Sequence, residues 1–222
     1  LSSKKNKAEM IHSILKAFTE YIEYKKCRTW NKNAQIGKGK DATTFLATNR
    51  KGDQYTMKEY RKTKASSTIR NEYEFQKLAA RKEIAPKLYD IRCDDKACKY
   101  IIMERMDEPL YDRIVKQKGV LTKKQQQRIL EILQILDEIR VFHGDADPSN
   151  FMIKNRKIYI IDFGLARAID KNLIGKLKTE HPNMKLMLLG VILKLKEYNV
   201  PAESYSHLKT GLSQHTLDKF KI

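Results

Sequence analysis

Residues 143–150 read HGDADPSN and residues 160–164 read IIDFG, and these two stretches decide the fold. The first places three acceptor side chains in one turn, directly after a helical pattern. These acceptors are Asp145, Asp147 and Asn150. The second places Asp162 where an apolar, strand-like run ends. Such turns either satisfy their own backbone N–H groups or hold a metal ion and phosphates, and each stretch alone permits both interpretations.

Two features further upstream belong to the same argument. Residues 36–42 read IGKGKDA, and glycines in a turn between two strands let the backbone approach a phosphate closely. The central residues of this turn are Gly37, Lys38 and Gly39. Lys58 ends a strand-like run, YTMK, and by itself is typical of a solvated surface lysine. Any hairpin can carry Gly-x-Gly, so neither feature is decisive alone.

The hydropathy pattern divides the chain into three parts. Residues 8–26 carry apolar side chains at helical spacing, and residues 1–32 are predicted to form a helical extension. Residues 33–104 alternate as short strands around one helix, predicted over residues 66–80, whereas residues 105–222 are mainly helical. The predicted fold class is therefore α+β, with an antiparallel sheet and one helix followed by an α-rich part.

The order of these features resembles the protein-kinase superfamily from about Ile36 to about Glu197. Asn150 follows Asp145 by five residues, and Asp162 follows Asn150 by twelve. The glycine turn and its lysine lie upstream, in the strand-rich part. The resemblance implies a bilobal fold, in which the strand-rich part is the N-terminal lobe (N-lobe) and the helical part is a reduced C-terminal lobe (C-lobe).

The resemblance also implies a role for each catalytic position. Asp145 matches the aspartate that accepts the proton of the substrate hydroxyl. Lys58 matches the lysine that holds the α- and β-phosphates of ATP, and Glu72 matches the glutamate that pairs with it. Asn150 and Asp162 match the magnesium ligands. This division of labour suits phosphoryl transfer, which needs positioning and charge neutralisation more than covalent help.

The nucleotide is expected between the glycine turn and the segment that joins the two lobes. The residues implied in its binding are Gly37, Lys38, Gly39, Lys58, Met103, Glu104 and Met106. Met103 would close the back of the adenine pocket, while Glu104 and Met106 would offer backbone hydrogen bonds. The implied cofactors are ATP and Mg²⁺, with Mn²⁺ as an alternative metal.

Four departures from the family pattern modify the expected activity. Ala42 replaces the third glycine, which predicts a stiffer phosphate loop. Gly144 stands where many regulated kinases carry the arginine that reads a phosphorylated activation loop, so activity independent of that phosphorylation is predicted. Asp147 replaces the lysine that typically contacts the γ-phosphate in Ser/Thr protein kinases, and Lys185 stands where an anchoring aspartate is expected.

The function implied is that of a Mg-ATP-dependent phosphotransferase, most simply a minimal serine/threonine protein kinase. Its short C-lobe is similar to that of the KEOPS-complex and RIO-type atypical kinases, and to that of truncated kinase effectors which pathogenic bacteria inject into host cells. Two alternatives stay open. One is a small-molecule kinase of the aminoglycoside, choline or lipopolysaccharide-sugar type, and the other is an ATP-binding or ATPase scaffold in a larger complex.

The charge balance is strongly basic, with 45 Lys and Arg against 27 Asp and Glu, for a net charge of +18. This excess is dispersed along the chain, so it attracts polyanions without specifying one. We expect a protein substrate with a Ser/Thr acceptor and an acidic protein partner that completes the C-lobe, with nucleic acid as a secondary partner. No apolar run reaches the roughly 20 residues of a membrane span.

The cysteine content predicts a reducing compartment. Cys27, Cys93 and Cys98 cannot all pair with one another, so a disulfide-stapled secreted domain is not expected. The Cys-x4-Cys spacing lacks the second ligand pair of a zinc site. The expected location is the cytoplasm, or the host cytosol for an injected effector.

Overall fold

The computed structural model of the chain describes residues 29–93, 98–116 and 119–222. The helix predicted over residues 8–26 lies outside these ranges. An antiparallel sheet in the N-terminal region is followed by helices, which confirms the predicted α+β bilobal class. The sheet has the strand order β1-β2-β3-β5-β4. Its strands are β1 (Asn31–Lys38), β2 (Ala42–Thr48), β3 (Gln54–Tyr60), β4 (Leu88–Cys93) and β5 (Cys98–Glu104).

The two faces of this sheet bury different clusters, because successive side chains of a strand point to opposite faces. Met57 of β3 packs with Ala47 and Ile102 on one face. Tyr60, three residues later, packs with Ile101 on the other. Lys58 shares the parity of Tyr60, so its side chain lies on the second face.

The helix α1 (Ser66–Arg81) connects β3 to β4 and covers the second face of the sheet. Its buried residues recur at helical spacing and are Ile69, Glu72, Gln76 and Ala79. Two of these four are polar, which is unusual for a core-facing stripe. The hydroxyl of Ser66 does not cap its own helix; it accepts a hydrogen bond from the Cys98 N–H at 2.9 Å.

The C-lobe is built around α2 (Lys123–Glu138), whose first turn is closed by a capping box between Thr122 and Gln125. Its core extends into the N-lobe through Ala79 and Ile84, at the end of α1. The other elements of this half are β6 (Glu108–Pro109), β7 (Val141–Phe142), β8 (Phe151–Lys154), β9 (Lys157–Ile160), β10 (Arg167–Ala168), α3 (Lys171–Leu177), α4 (Leu188–Glu197) and α5 (Gln214–Phe220). A single π-helical turn, Asn183–Met187, directly precedes α4.

The segment after α4 closes the end of the C-lobe by packing onto α2. Tyr205 and Leu208 join the main core, and Leu208 is fully buried. The buried side chain of Gln126 donates to the carbonyls of Leu121 and Glu203 and accepts from the His207 N–H at 2.8 Å. The chain's own C-terminal residues therefore cover this end of α2.

The cysteines depart from the sequence-based expectation. Cys93, the last residue of β4, and Cys98, the first residue of β5, are joined by a disulfide bond. The pair forms because antiparallel pairing of β4 with β5 brings these two positions opposite each other. The number of cysteines alone could not reveal it. Disulfides persist mainly in oxidising compartments, so the pair does not support the expected reducing location. Within the described ranges, none of the helices is both long and apolar enough to cross a membrane.

Candidate active site

A cleft of about 470 Å³ lies between the sheet and the C-lobe. Most of the residues predicted to bind nucleotide line it: Gly37, Lys38, Lys58, Met103, Glu104 and Met106. Glu72 and Asp162 line it as well. Gly39 lies at the tip of the glycine turn and outside the lining, where its N–H donates to the Ala42 carbonyl at 2.8 Å.

Lys58 forms two ion pairs in this cleft. Its Nζ lies 2.5 Å from Oε1 of Glu72 and 2.8 Å from Oδ1 of Asp162, so it joins α1 to the end of β9. Glu72 is 2% exposed, whereas half of the Asp162 side chain faces the cleft. Glu74, two residues further along α1, pairs instead with Lys77 on the outer face of the helix.

The charges in this triad are stabilised by one another. Burial lowers the pKa of Lys58, but the carboxylates of Glu72 and Asp162 more than offset it, and the net shift is upward. Burial raises the pKa of Asp162, but the ammonium of Lys58 and the Gly164 N–H reverse this, and the net shift is downward. Lys58 and Asp162 thus both keep their charges at neutral pH.

The backbone at Asp162 is also specialised for this contact. Asp162 has a φ of +63°, in the left-handed region that aspartate tolerates better than most residues. A Cβ on Gly164 would stand 3.1 Å from Oδ1 of Asp162 and 3.4 Å from Oε2 of Glu72. Phe163 is buried edge-on against His143, with ring centroids 5.0 Å apart. The turn therefore carries Asp162 into the cleft while Phe163 anchors it.

The loop of residues 143–150 is held from both sides. The ring of His143 is fully buried, with Nε2 2.9 Å from the Ile161 carbonyl and Nδ1 3.2 Å from the Asp145 carbonyl. Burial lowers the pKa of His143, although the carbonyls of Ile161 and Asp145 oppose this shift. Nδ2 of Asn150 lies 3.5 Å from the Asp145 carbonyl. Asp145 and Asn150 thus share one turn, beside the strand that ends at Asp162.

Asp147 is committed to structural contacts and is not a free acceptor. Its Oδ1 accepts from the Ser149 N–H at 2.8 Å, and its Oδ2 accepts from the Tyr198 hydroxyl at 3.0 Å. Burial raises the pKa of Asp147, but these donors reverse the shift and the net direction is downward. The position that departs from the family pattern therefore ties the loop to the end of α4.

Gly144 is required by the fold of this loop. Its φ is +82°, and a Cβ there would stand 2.8 Å from the Leu165 carbonyl oxygen. The start of the segment after Asp162 lies directly against it. That segment continues as β10, which pairs with β7, so backbone contacts hold it in place. An arginine at position 144 would collide with this backbone.

The buried polar pair of Asp137 and Asn183 anchors the loop of residues 143–150 to α2. Asp137 of α2 accepts from the N–H and the side-chain Nδ2 of Asn183, at 3.0 and 2.7 Å, and from the Met184 N–H at 3.0 Å. Oδ1 of Asn183 in turn accepts from the His143 N–H at 3.1 Å. Lys185, where the sequence lacks the expected aspartate, plays no part. The anchor instead starts two residues earlier, at the beginning of the π-helical turn.

The chemistry of three acceptors at the cleft fits a magnesium ion, although only Asp162 lines the cleft, and Asp145 and Asn150 lie outside its lining. Asp145, Asn150 and Asp162 supply hard oxygen donors, and Mg²⁺ is commonly held by one or two carboxylates together with the phosphates of a nucleotide. Within residues 29–93, 98–116 and 119–222 there is no preformed cluster of three or more His, Cys, Asp or Glu side chains. Asn150 and Asp162 would be the ligands from the chain for a metal that arrives with the nucleotide.

Several lining residues were missed from the sequence. They are Ile36, Thr44, Thr56, Gln76, Pro86, Pro109, Ser149, Met152 and Ile161. One of them carried a usable signal, because side chains two apart on a strand share a face. Thr56 precedes Lys58 by two residues on β3.

A comparison with protein families matches residues 30–181 to the protein kinase domain. This match covers more than half of the chain and includes every predicted catalytic position. The chain belongs to the protein kinase family.

Curated relatives agree with this membership. Calcium-dependent protein kinase 8 of Arabidopsis thaliana is 33% identical over 147 residues, which are 60% of this chain and 27% of that protein. A probable myosin light chain kinase of Dictyostelium discoideum is 28% identical over 151 residues, or 64% of this chain and 48% of that protein. The probable serine/threonine-protein kinase PknB of Corynebacterium glutamicum is 34% identical over 82 residues, 35% of this chain and 13% of that protein. The chain thus spans less than half of each of these relatives.

Proposed function

We propose that the chain is a Mg-ATP-dependent protein kinase that phosphorylates serine or threonine hydroxyls. The observation that carries this proposal is the triad of Lys58, Glu72 and Asp162 in the cleft, next to the loop that holds Asp145. Three named relatives are kinases. This chain also carries a residue for each catalytic role: Lys58 for the phosphates, Asn150 and Asp162 for the metal, and Asp145 for the hydroxyl proton.

Each residue has a distinct part in the proposed reaction. Lys58, held in place by Glu72, binds the phosphates, while the glycine turn around Gly37 covers them. Met103 lies at the back of the cleft. The N–H of Glu104 already donates to the Lys87 carbonyl at 2.8 Å. Glu104 would therefore bind adenine through its backbone carbonyl, which would accept a hydrogen bond from the base. These contacts align the γ-phosphate for an in-line attack.

Asp145 supplies the proton acceptor for the substrate hydroxyl. The bond that forms joins the hydroxyl oxygen to the γ-phosphorus, the bond that breaks joins that phosphorus to the β–γ bridging oxygen, and the hydroxyl proton moves toward Asp145. A Mg²⁺ ion bound by Asn150 and Asp162 would neutralise the phosphate charge. The segment after Asp162 favours an acidic substrate surface because it is basic. Its basic side chains are Arg167, Lys171, Lys176 and Lys178.

Labelled ATP tests this function directly. Wild-type protein with Mg²⁺ and a cell lysate is expected to label Ser or Thr residues of proteins, and Asp162→Ala is expected to lose the label because a metal ligand is gone. Chelation by EDTA should have the same effect, with recovery when Mg²⁺ or Mn²⁺ is added. Label in small molecules alone would favour a small-molecule kinase. Release of phosphate without labelled protein would favour an ATPase scaffold. Equal labelling by wild type and Asp162→Ala would refute the assigned site.

Phosphatase treatment is expected to leave this activity unchanged. Gly144 leaves no room for an arginine that would read a phosphate, and the segment after Asp162 is already held by backbone pairing of β10 with β7. The measurement is the initial rate of peptide phosphorylation before and after treatment with a broad-specificity phosphatase. A rate that falls upon dephosphorylation and recovers upon rephosphorylation would contradict this independence.

A further inference from the structure

Tyr60 is a buried tyrosine next to the charged triad whose hydroxyl has no evident structural purpose. It lies on β3, two residues after Lys58, and its side chain is on the same face of the sheet. It is 7% exposed and packs with Ile69 of α1 and Ile101 of β5. Nζ of Lys58 lies 5.6 Å from the centroid of its ring.

The hydroxyl of Tyr60 is buried and reaches no hydrogen-bonding partner among the described residues. Buried polar atoms in native proteins are nearly always bonded, and a phenylalanine would fill the same space without this cost. Burial raises the pKa of Tyr60, and Glu72 raises it further through both its charge and its contact with the hydroxyl. The hydroxyl thus keeps its proton and lies beside the Glu72 carboxylate, but outside hydrogen-bond geometry.

Glu72 needs donors, because it is a buried carboxylate. Its Oε1 accepts from Lys58, whose ammonium carries three N–H groups and also serves Asp162. Phosphates that enter the cleft would compete for the same ammonium. A carboxylate that shares its cation with a ligand in this way is better held by a second donor.

We propose that Tyr60 is a positioning residue for nucleotide binding: its hydroxyl donates a hydrogen bond to Glu72 when the phosphates draw Lys58 toward the ligand. This inference rests on the proposed function as an ATP-binding enzyme. The second donor keeps the Glu72 side chain, and with it α1, in place while Lys58 serves the phosphates. The free protein does not use this bond, and the nucleotide complex does.

The test compares Tyr60→Phe with wild type in two measurements on the same protein. Titration calorimetry with Mg-ATP is expected to show about tenfold weaker binding, since a hydrogen bond to a charged group is lost in the complex. Thermal unfolding without nucleotide is expected to occur at the same or a higher temperature, since the variant removes an unpaired buried hydroxyl. Tyr100→Phe, on the partly exposed Tyr100 of β5, is the matched control and should change neither quantity.

A double-mutant cycle identifies the group through which Tyr60 acts. In the Glu72→Gln background, Tyr60→Phe is expected to have little further effect on Mg-ATP binding, because the carboxylate it would serve is gone. Equal affinity of wild type and Tyr60→Phe, or a large fall in the unfolding temperature of free Tyr60→Phe, would overturn the inference and leave the proposed function intact. Absence of Mg-ATP binding by wild type would refute the proposed function itself.

Discussion

Asp145→Asn is expected to lower the rate of phosphate transfer by about 10²- to 10⁴-fold, the usual contribution of a positioned general base. The amide keeps the size and shape of the carboxylate but cannot take the proton of the substrate hydroxyl. Affinity for Mg-ATP should change little, because the phosphates are bound by Lys58 and the glycine turn. The measurement is the single-turnover rate at saturating Mg-ATP and peptide.

Asp147→Asn is the matched control, since the same change is made two residues away in the same loop. One oxygen of Asp147 accepts from the Ser149 N–H and the other from the Tyr198 hydroxyl. Its substitution should therefore lower the free energy of unfolding by about 1 kcal/mol and leave most of the activity. The two variants are therefore expected to separate loss of chemistry from loss of stability. An Asp147→Asn variant as inactive as Asp145→Asn would show that the two roles are assigned wrongly.

Features that depend on local spacing were predictable from the sequence. The strands, the helix that carries Glu72 and the Thr122 cap follow from alternation, helical periodicity and capping, which involve neighbouring residues. The positions of Lys58, Asp145 and Asp162 were readable because they lie at the ends of strands or in a turn. Each is marked by the pattern that surrounds it, and the structure places Lys58 against Asp162 although 104 residues separate them.

Features that depend on distant partners were not predictable. Asp147 was identified from the sequence only as a departure from the family pattern, because its partner Tyr198 is 51 residues away and no local pattern connects them. The pairing of Cys93 with Cys98 follows from strand register, which composition does not encode. The anchor at Asn183 was not recognised from the sequence, because its partners Asp137 and His143 lie 46 and 40 residues away.

Asn183→Leu is expected to lower the free energy of unfolding by about 3 kcal/mol, which corresponds to a fall of roughly 10 °C in the unfolding temperature. Leucine fills a similar volume but leaves the His143 N–H and the Val141 carbonyl without the partners that Asn183 provides. It also removes a donor from the buried carboxylate of Asp137. Activity measured well below the unfolding temperature should fall too, since the loop that carries Asp145 loses its anchor. Asn172→Leu, on the exposed face of α3, makes the same change where it should have little effect.

Asn183→Asp distinguishes an anchor made of specific hydrogen bonds from simple packing. The new carboxylate can still accept from the His143 N–H, but it faces Asp137, whose pKa burial already raises. Two adjacent carboxylates then share a proton, and the folded state binds it more tightly than the unfolded state does. The stability deficit of Asn183→Asp relative to wild type should therefore be smallest at low pH and should grow as the pH rises above about 4, the usual carboxyl pKa. The deficit of Asn183→Leu should also grow with pH but less steeply, because the loss of the Asn183 donor raises the pKa of Asp137 without adding a second carboxylate. Flat pH profiles for both variants would show that the contact between Asp137 and Asn183 contributes only packing.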